Sequence, residues 1–223
     1  MDGGGAVVLA LIVALLVWGC AYAMAGKAKG GIGLGGGGVC SNPLCACDSC
    51  GCGSGCGCSD LKGGMRKLWS NHATWTKVYI DTAASVGNTK VLVPRLMKNQ
   101  ERIGALVGVF RPDKGPELAQ LLKGHIEAAA ATVAAAQKHG ANDPATRKAV
   151  AAQMANGDLV GYLLESIGTM HAQKMFREHN ELVISQAVAV LSGDAQKAVT
   201  LYDRYYSEIL SMSDSICEGF SGA

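Results

Sequence analysis

Charged and aromatic residues are scarce in this chain. Asp, Glu, Lys and Arg make up 17% of its 223 residues, Phe, Trp and Tyr make up 5%, and the formal net charge is +2. No block of lysine or arginine is present, and aromatic residues do not alternate with basic ones. Proteins that bind nucleic acid through its phosphates present basic patches of this kind. The composition therefore argues against a nucleic-acid partner.

The chain also lacks the short motifs that mark common catalytic sites. It contains no Gly-x-Ser-x-Gly nucleophile turn, no Walker phosphate loop and no His-Glu-x-x-His zinc motif. Glu-x-x-His, which paired helices use to hold two iron ions, is missing as well. These absences favour a protein that is not an enzyme.

What is present divides into three zones of different composition. Residues 1–29 are apolar, residues 30–64 are rich in glycine and cysteine, and residues 65–223 have the composition of ordinary globular sequence. The three zones predict a membrane anchor, a flexible tether and a helical-bundle domain, in that order.

The segment Ala6–Ala25 has no charged residue. A helix of about 20 apolar residues spans the hydrocarbon core of a bilayer. A retained single-pass transmembrane helix is favoured because the chain start has no basic residue, while a signal peptide cleaved after residues 23–25 is the alternative. Lys27 and Lys29 follow the span, so we expect the N-terminus outside and the C-terminal domain on the cytoplasmic side.

Seven cysteines are concentrated in the glycine-rich zone. They are Cys40, Cys45, Cys47, Cys50, Cys52, Cys56 and Cys58. Their short spacings can gather thiolates around one soft ion, and the lack of histidine among them favours an all-sulfur site for Zn²⁺ or Cu(I). Disulfides on an oxidising face are one alternative, although Cys-x-Cys bridges are strained and seven is an odd number. A tether of free thiols is the other.

From residue 65 onward the apolar periodicity is helical and strand signals are scarce. Glycine, proline and aspartate divide this region into about six helical stretches, at roughly 66–86, up to 110, 116–138, 144–168, 169–193 and from 194 onward. Long helices with short connections predict an all-α fold, an antiparallel bundle of four to six helices.

Three predicted helices each carry one histidine on their apolar face: His72 in the first, His125 in the third and His179 in the fifth. The predicted face of the first helix consists of Leu68, His72, Trp75, Tyr79 and Ala83. If the histidines lie at one level of the bundle, they bind a metal ion or frame a small pocket, with Asn99 and Glu101 of the second helix as further candidates. The alternative is that each is a neutral, buried histidine hydrogen-bonded to a neighbour.

The stretches LWSNHATWTKVYI (68–80), RLMKNQERIG (95–104) and LLKGHI (121–126) form a combined motif. It resembles an uncharacterised family of small helical proteins from bacteria, archaea and large DNA viruses. MANGD (154–158), MFREHNEL (175–182) and YDRYYSEILSMSD (202–214) are similar to later segments of that family. The resemblance implies the bundle fold over about residues 68–220, and it implies no established activity.

The resemblance also singles out individual residues. Those carried over by motif are His72, Trp75, Asn99, Gln100, Glu101, His125, Asn156, Asp158 and His179. Where the family often has histidines in the last helix, this chain has Tyr205, Tyr206 and Glu208.

Together these features predict a non-enzymatic, single-pass membrane protein with a structural or interaction role. We expect a thiolate metal-binding tether and a bundle that contacts a protein partner or a second copy. The tether also resembles, in composition, membrane proteins of large DNA viruses, which suggests a component of a virion's internal membrane or a minor capsid protein. The alternative is a metal- or small-ligand-handling bundle that uses His72, His125 and His179.

Overall fold

A computed structural model describes residues 61–221, and within this range the chain forms six α-helices and no strand. The helices are α1 (Leu61–Ala84), α2 (Leu92–Phe110), α3 (Gly115–His139), α4 (Pro144–Ser166), α5 (Ala172–Leu191) and α6 (Ala195–Ser221). A short 3₁₀ helix, Thr89–Val91, precedes α2. The predicted all-α bundle is confirmed for the described residues. Among them, no helix combines the length and apolar character needed to cross a bilayer.

The predicted membrane span and all seven tether cysteines lie outside the described residues. The first helix begins at Leu61, so residues 61–64, expected to be the end of an irregular tether, are helical instead. Met65 in this first turn is completely buried. Its burial offsets the low helix propensity of Gly63 and Gly64, which had suggested a later start.

Helix ends follow the local signals in the sequence. The side chain of Asp143 accepts a hydrogen bond from the Ala145 backbone N–H at 2.8 Å, and Pro144 occupies the first helical position of α4. Asp194 caps α6 in the same way, accepting from the Lys197 N–H at 3.1 Å. The start of α5 differs from the prediction, because His171 adopts a left-handed conformation (φ 60°) immediately before the helix.

The six helices form two sets of three. The inner helices α1, α3 and α5 all contact one another. Each outer helix packs across two inner ones: α2 on α1 and α3, α4 on α3 and α5, and α6 on α5 and α1. Because short connections join consecutive helices, the inner three run in one direction and the outer three in the other. A residue at mid-height on the inward side of an inner helix therefore faces the other two inner helices.

The buried face of α1 is rotated from the predicted one. Trp69, His72, Thr76 and Ile80 are buried, whereas the expected Leu68, Trp75 and Tyr79 are only partly so. Trp75 lies at the boundary with α2, where the guanidinium of Arg95 stacks over its ring at 5.0 Å. The prediction was right for His72 and Ala83, which are buried, and wrong for the other three residues. The error arose because α1 packs against several helices and carries apolar residues on more than one side.

Candidate metal centre

Three buried histidines meet at the centre of the bundle, one from each inner helix. The exposed fractions of His72, His125 and His179 are 2%, 3% and 0%. Their ring centroids lie 5.8 Å apart for His72 and His179, 5.5 Å for His125 and His179, and 6.3 Å for His72 and His125. One possible ligand nitrogen from each histidine lies within 4.8 Å of the other two. The bundle thus gathers the three histidines that the sequence placed on separate helices.

The spacing of these nitrogens is close to that of a metal site. Two histidine ligands of a tetrahedral zinc ion, with bonds of about 2.0–2.1 Å, lie about 3.4 Å apart. From a separation of at most 4.8 Å, the nitrogens would have to approach by roughly 1.4 Å or less. Small rotations of the side chains within their rotamer wells are sufficient for this movement.

Two of the three histidines already have a polar partner on an outer helix. The amide nitrogen Nε2 of Gln100 in α2 lies 3.0 Å from Nδ1 of His72, and Oε2 of Glu208 in α6 lies 3.2 Å from Nδ1 of His179. Because Nδ1 is engaged in both rings, Nε2 is the nitrogen that remains for another ligand. Histidines bound to metals usually hold their second nitrogen against a carboxylate or another oxygen, as His179 does here.

Aromatic side chains close the space around the histidines. The ring of Trp69 lies 5.8 Å from that of His72, Phe176 lies 6.1 Å from His125, and Tyr205 lies 5.3 Å from His179. All three aromatic residues are at most 1% exposed. This shell buries the cluster away from the surface, and electrostatic interactions inside it are stronger than at the surface.

Burial keeps His72 and His125 uncharged at neutral pH. It lowers the pKa of His125 from 6.5 to about 3, with a smaller contribution from His179. Burial likewise lowers the pKa of His72 well below its usual value, and His179 and His125 act in the same direction. For Tyr205, burial raises the pKa well above 10, an effect that the Glu208 charge reinforces and Thr76 opposes. Neutral imidazoles keep a lone pair, which is the state that binds metal ions.

Several buried polar atoms around the cluster have no hydrogen-bond partner among the described residues. They include Nδ1 of His125, Nε2 of His179, Nε1 of Trp69 and Oε1 of Glu208. An unpaired buried polar atom costs about 1–3 kcal/mol. If each histidine were held only by hydrogen bonds, Nδ1 of His72 and Nδ1 of His179 would be accounted for, but Nδ1 of His125 and Nε2 of His179 would not. These two nitrogens, the neutral rings of His72 and His125, and the Glu208 carboxylate against Nδ1 of His179 together fit a metal ion.

The other two candidates of the bundle site do not approach the histidines as ligands. Asn99 is buried and donates from Nδ2 to the backbone oxygen of Leu68 at 3.1 Å, which ties α2 to α1. Glu101 lies at the surface, where its carboxylate pairs with Lys123 at 2.7 Å.

The remaining residues carried over by the resemblance also make structural contacts. Asn156 donates to the backbone oxygen of Leu121 at 3.3 Å, and Asp158 pairs with Arg177 at 2.9 Å. Tyr206, at one of the positions where this chain departs from the family pattern, packs against Tyr202, with ring centroids 6.0 Å apart.

Sequence reasoning missed Trp69, and it did not pair Gln100 with His72 or Glu208 with His179, although it had named both partner residues. The signal for Trp69 was available, because it precedes His72 by three residues and so shares its face of the helix. The pairing of Glu208 with His179 was not visible, because it depends on which helices become neighbours.

Comparison of the chain with family models, with curated proteins and with solved structures found no match in any of the three. The functional interpretation therefore depends on the geometry and chemistry of the site itself.

Proposed function

We propose that the helical bundle binds one transition-metal ion through His72, His125 and His179. The observation that carries this proposal is the convergence of three buried histidines from three helices, with one possible ligand nitrogen from each within 4.8 Å of the other two. Two cluster nitrogens, Nδ1 of His125 and Nε2 of His179, have no hydrogen-bond partner in the described part of the chain. Imidazole nitrogen suits Zn²⁺, copper, iron and nickel, whereas Mg²⁺ and Ca²⁺ prefer oxygen ligands.

Glu208 would complete the site without being a ligand. Three neutral histidines do not offset the charge of a divalent ion, and burying that charge in an apolar core is costly. In the described residues, Glu208 is the carboxylate that contacts a histidine of the cluster. Its negative charge compensates part of the metal's charge, and its hydrogen bond fixes the orientation of the His179 ring.

The closed surroundings favour holding a metal over turning over a substrate. Each histidine is at most 3% exposed, and aromatic rings surround the cluster. A sealed site leaves little room for a substrate of any size. Retention of the ion, and stabilisation of the bundle by it, are the roles that this enclosure supports.

The test is elemental analysis of the full chain after loading with Zn²⁺ or copper and removal of excess metal. Replacing the seven tether cysteines with serine separates any thiolate-bound metal from the bundle site. In that background we expect about one bound ion per chain, which His125→Gln should abolish. His139→Gln and His171→Gln, at exposed histidines, are the matched controls and should bind metal as before. A serine-substituted chain that binds no metal, or binds it equally with His125→Gln, would contradict the proposal.

We also propose, on the sequence alone, that the bundle belongs to a single-pass membrane protein with a structural or interaction role. The uncharged segment 6–25 supports the anchor, the cysteines from Cys40 to Cys58 support a tether that binds Zn²⁺ or Cu(I), and the compositional likeness supports a virion membrane or capsid. A protein partner, or a second copy, would contact the bundle.

Two measurements test this second proposal. Sequencing the N-terminus of the mature protein should find residues 1–25 retained. In sealed membranes, an impermeant thiol reagent added on the outside should fail to label the tether cysteines. A chain that begins just after residue 25 and is released in soluble form would contradict the anchor.

A further inference from the structure

Gln100 holds His72 through its amide nitrogen, and its neighbours determine which way the amide faces. Its Nε2 atom lies 3.3 Å from the backbone oxygen of Leu96 and 3.5 Å from Oδ1 of Asn99. Both of these atoms can only accept hydrogen bonds, so a nitrogen and not an oxygen must face them. Asn99 is oriented in turn by its own donation to the Leu68 backbone oxygen at 3.1 Å.

This chain of hydrogen bonds fixes the proton on His72. The same Nε2 atom of Gln100 lies 3.0 Å from His72 Nδ1. Because the amide nitrogen donates, Nδ1 accepts, and a neutral imidazole then carries its proton on Nε2. At His179 the partner is an acceptor instead, because the Glu208 carboxylate accepts from Nδ1–H at 3.2 Å, and in the neutral ring the lone pair is then on Nε2.

We propose that Gln100 is a positioning residue that sets the tautomer of His72 and thereby controls the affinity of the histidine cluster for a metal ion. The part of this inference that concerns affinity rests on the proposed metal-binding function. In the metal-free protein Gln100 holds His72 with its proton on Nε2, the atom that metal binding requires as a lone pair. Uptake of an ion moves that proton to Nδ1, and the amide turns so that its oxygen accepts from Nδ1–H.

The surroundings of Gln100 oppose this turn. Turning the amide breaks the hydrogen bond to the Leu96 oxygen and places Oε1 against Oδ1 of Asn99. It also gives a new partner to Oε1, which is buried and has none in the present arrangement. Gln100 therefore lowers the affinity of the site for a metal ion. A side chain at this position that can only accept hydrogen bonds should raise that affinity.

The test compares Gln100→Glu with wild type by ¹⁵N-histidine NMR and by Zn²⁺ titration of the full chain with its tether cysteines changed to serine. Wild type should show His72 protonated on Nε2 without metal and on Nδ1 with Zn²⁺. Gln100→Glu should show the Nδ1–H form already without metal, and bind Zn²⁺ at least about 10-fold more tightly. Gln120→Glu, the same change at an exposed position of α3, should match wild type in both measurements.

Gln100→Met provides a second variant if the buried carboxylate prevents folding. Methionine cannot donate to Nδ1, so the Nε2–H form of His72 should lose population. A wild-type His72 protonated on Nδ1 without metal overturns the inference, as does an Nε2–H form that persists in both variants, or an unchanged Zn²⁺ affinity in Gln100→Glu. If wild type binds no Zn²⁺, the proposed function fails, while the metal-free spectra still decide whether Gln100 sets the tautomer.

Discussion

Single residues in the centre of this protein owe their chemistry to burial. The same loss of water that lowers the pKa of His72 and His125 keeps both rings neutral, so that one nitrogen of each ring carries a lone pair. The sequence identified these histidines because each interrupts an apolar helical face. It did not identify the hydrogen-bond partners that distinguish them, Gln100 for His72 and Glu208 for His179, since these lie 28 and 29 residues away along the chain.

The charge of Glu208 should matter more to metal binding than to folding. In Glu208→Gln the amide oxygen can still accept from His179 Nδ1–H, but the negative charge near the ion is lost. We expect the affinity for Zn²⁺ to fall by about 10- to 100-fold, with little change in the free energy of unfolding of the metal-free protein. Isothermal titration and urea denaturation measure the two quantities. Glu178→Gln, at an exposed position adjacent in sequence to His179, is the control and should leave the affinity unchanged.

At the scale of helices, the sequence predicted how many there are and most of their ends, because caps such as Asp143 and Asp194 act locally. It was less successful in predicting which face each helix buries. The face of α1 was wrong because Trp69 and Trp75 are both apolar, and only the neighbouring helices decide which of them faces the centre. Which face of a helix is buried in a bundle is decided by tertiary packing and not by the sequence of that helix alone.

Glycines allow α2 and α3 to cross closely, and this crossing can be tested. A Cβ added to Gly104 would lie 2.6 Å from the Gly115 backbone oxygen and 2.6 Å from Cβ of Ala119. Gly104→Ala should therefore lower the free energy of unfolding by about 1–3 kcal/mol. At Gly108, one turn along α2, the nearest atom would be 3.6 Å away, which is an ordinary contact.

Gly108→Ala is thus the matched control for the crossing. It should be neutral, or should stabilise the protein by about 0.5–1 kcal/mol, because alanine has the higher helix propensity. Urea denaturation of both variants measures the difference. If both substitutions change the free energy of unfolding equally, then the glycine at position 104 is not needed for the close approach of α2 to α3.

At the scale of the whole molecule, the alternation of inner and outer helices explains the site. Three parallel inner helices each supply one histidine, and two of the outer helices supply the residues that hold the rings. Binding of an ion at this point would link α1, α3 and α5 at once. The metal should therefore stabilise the global fold and not a local segment.

Metal-linked stability follows from mass action. A ligand present at about 100 times its dissociation constant adds about 2.7 kcal/mol to the free energy of unfolding. With the tether cysteines changed to serine, Zn²⁺ should raise the midpoint of thermal unfolding and a chelator should reverse the effect. His125→Gln should not respond to Zn²⁺ at all. The same increase in wild type and in this variant would place the stabilising ion elsewhere.

The metal-free bundle should lose stability when the solution is mildly acidified. The pKa of His125 is about 3 in the folded protein and 6.5 in its ordinary state, and that of His72 is lowered in the same direction. Below about pH 6.5 the unfolded chain binds protons that the folded chain excludes, so the stability present at neutral pH is lost as the pH falls.

Each of these histidines contributes a slope of about 1.4 kcal/mol per pH unit. Urea denaturation between pH 6.5 and pH 5 measures this slope while ordinary carboxyl groups remain ionised. His125→Leu removes one of the two buried groups and should have a visibly shallower slope than wild type. With Zn²⁺ bound, stability should fall more steeply as the pH is lowered, because protons then compete with the ion for the same lone pairs. A stability that is flat across this range, with and without the ion, would mean that the histidines are not held neutral by the bundle.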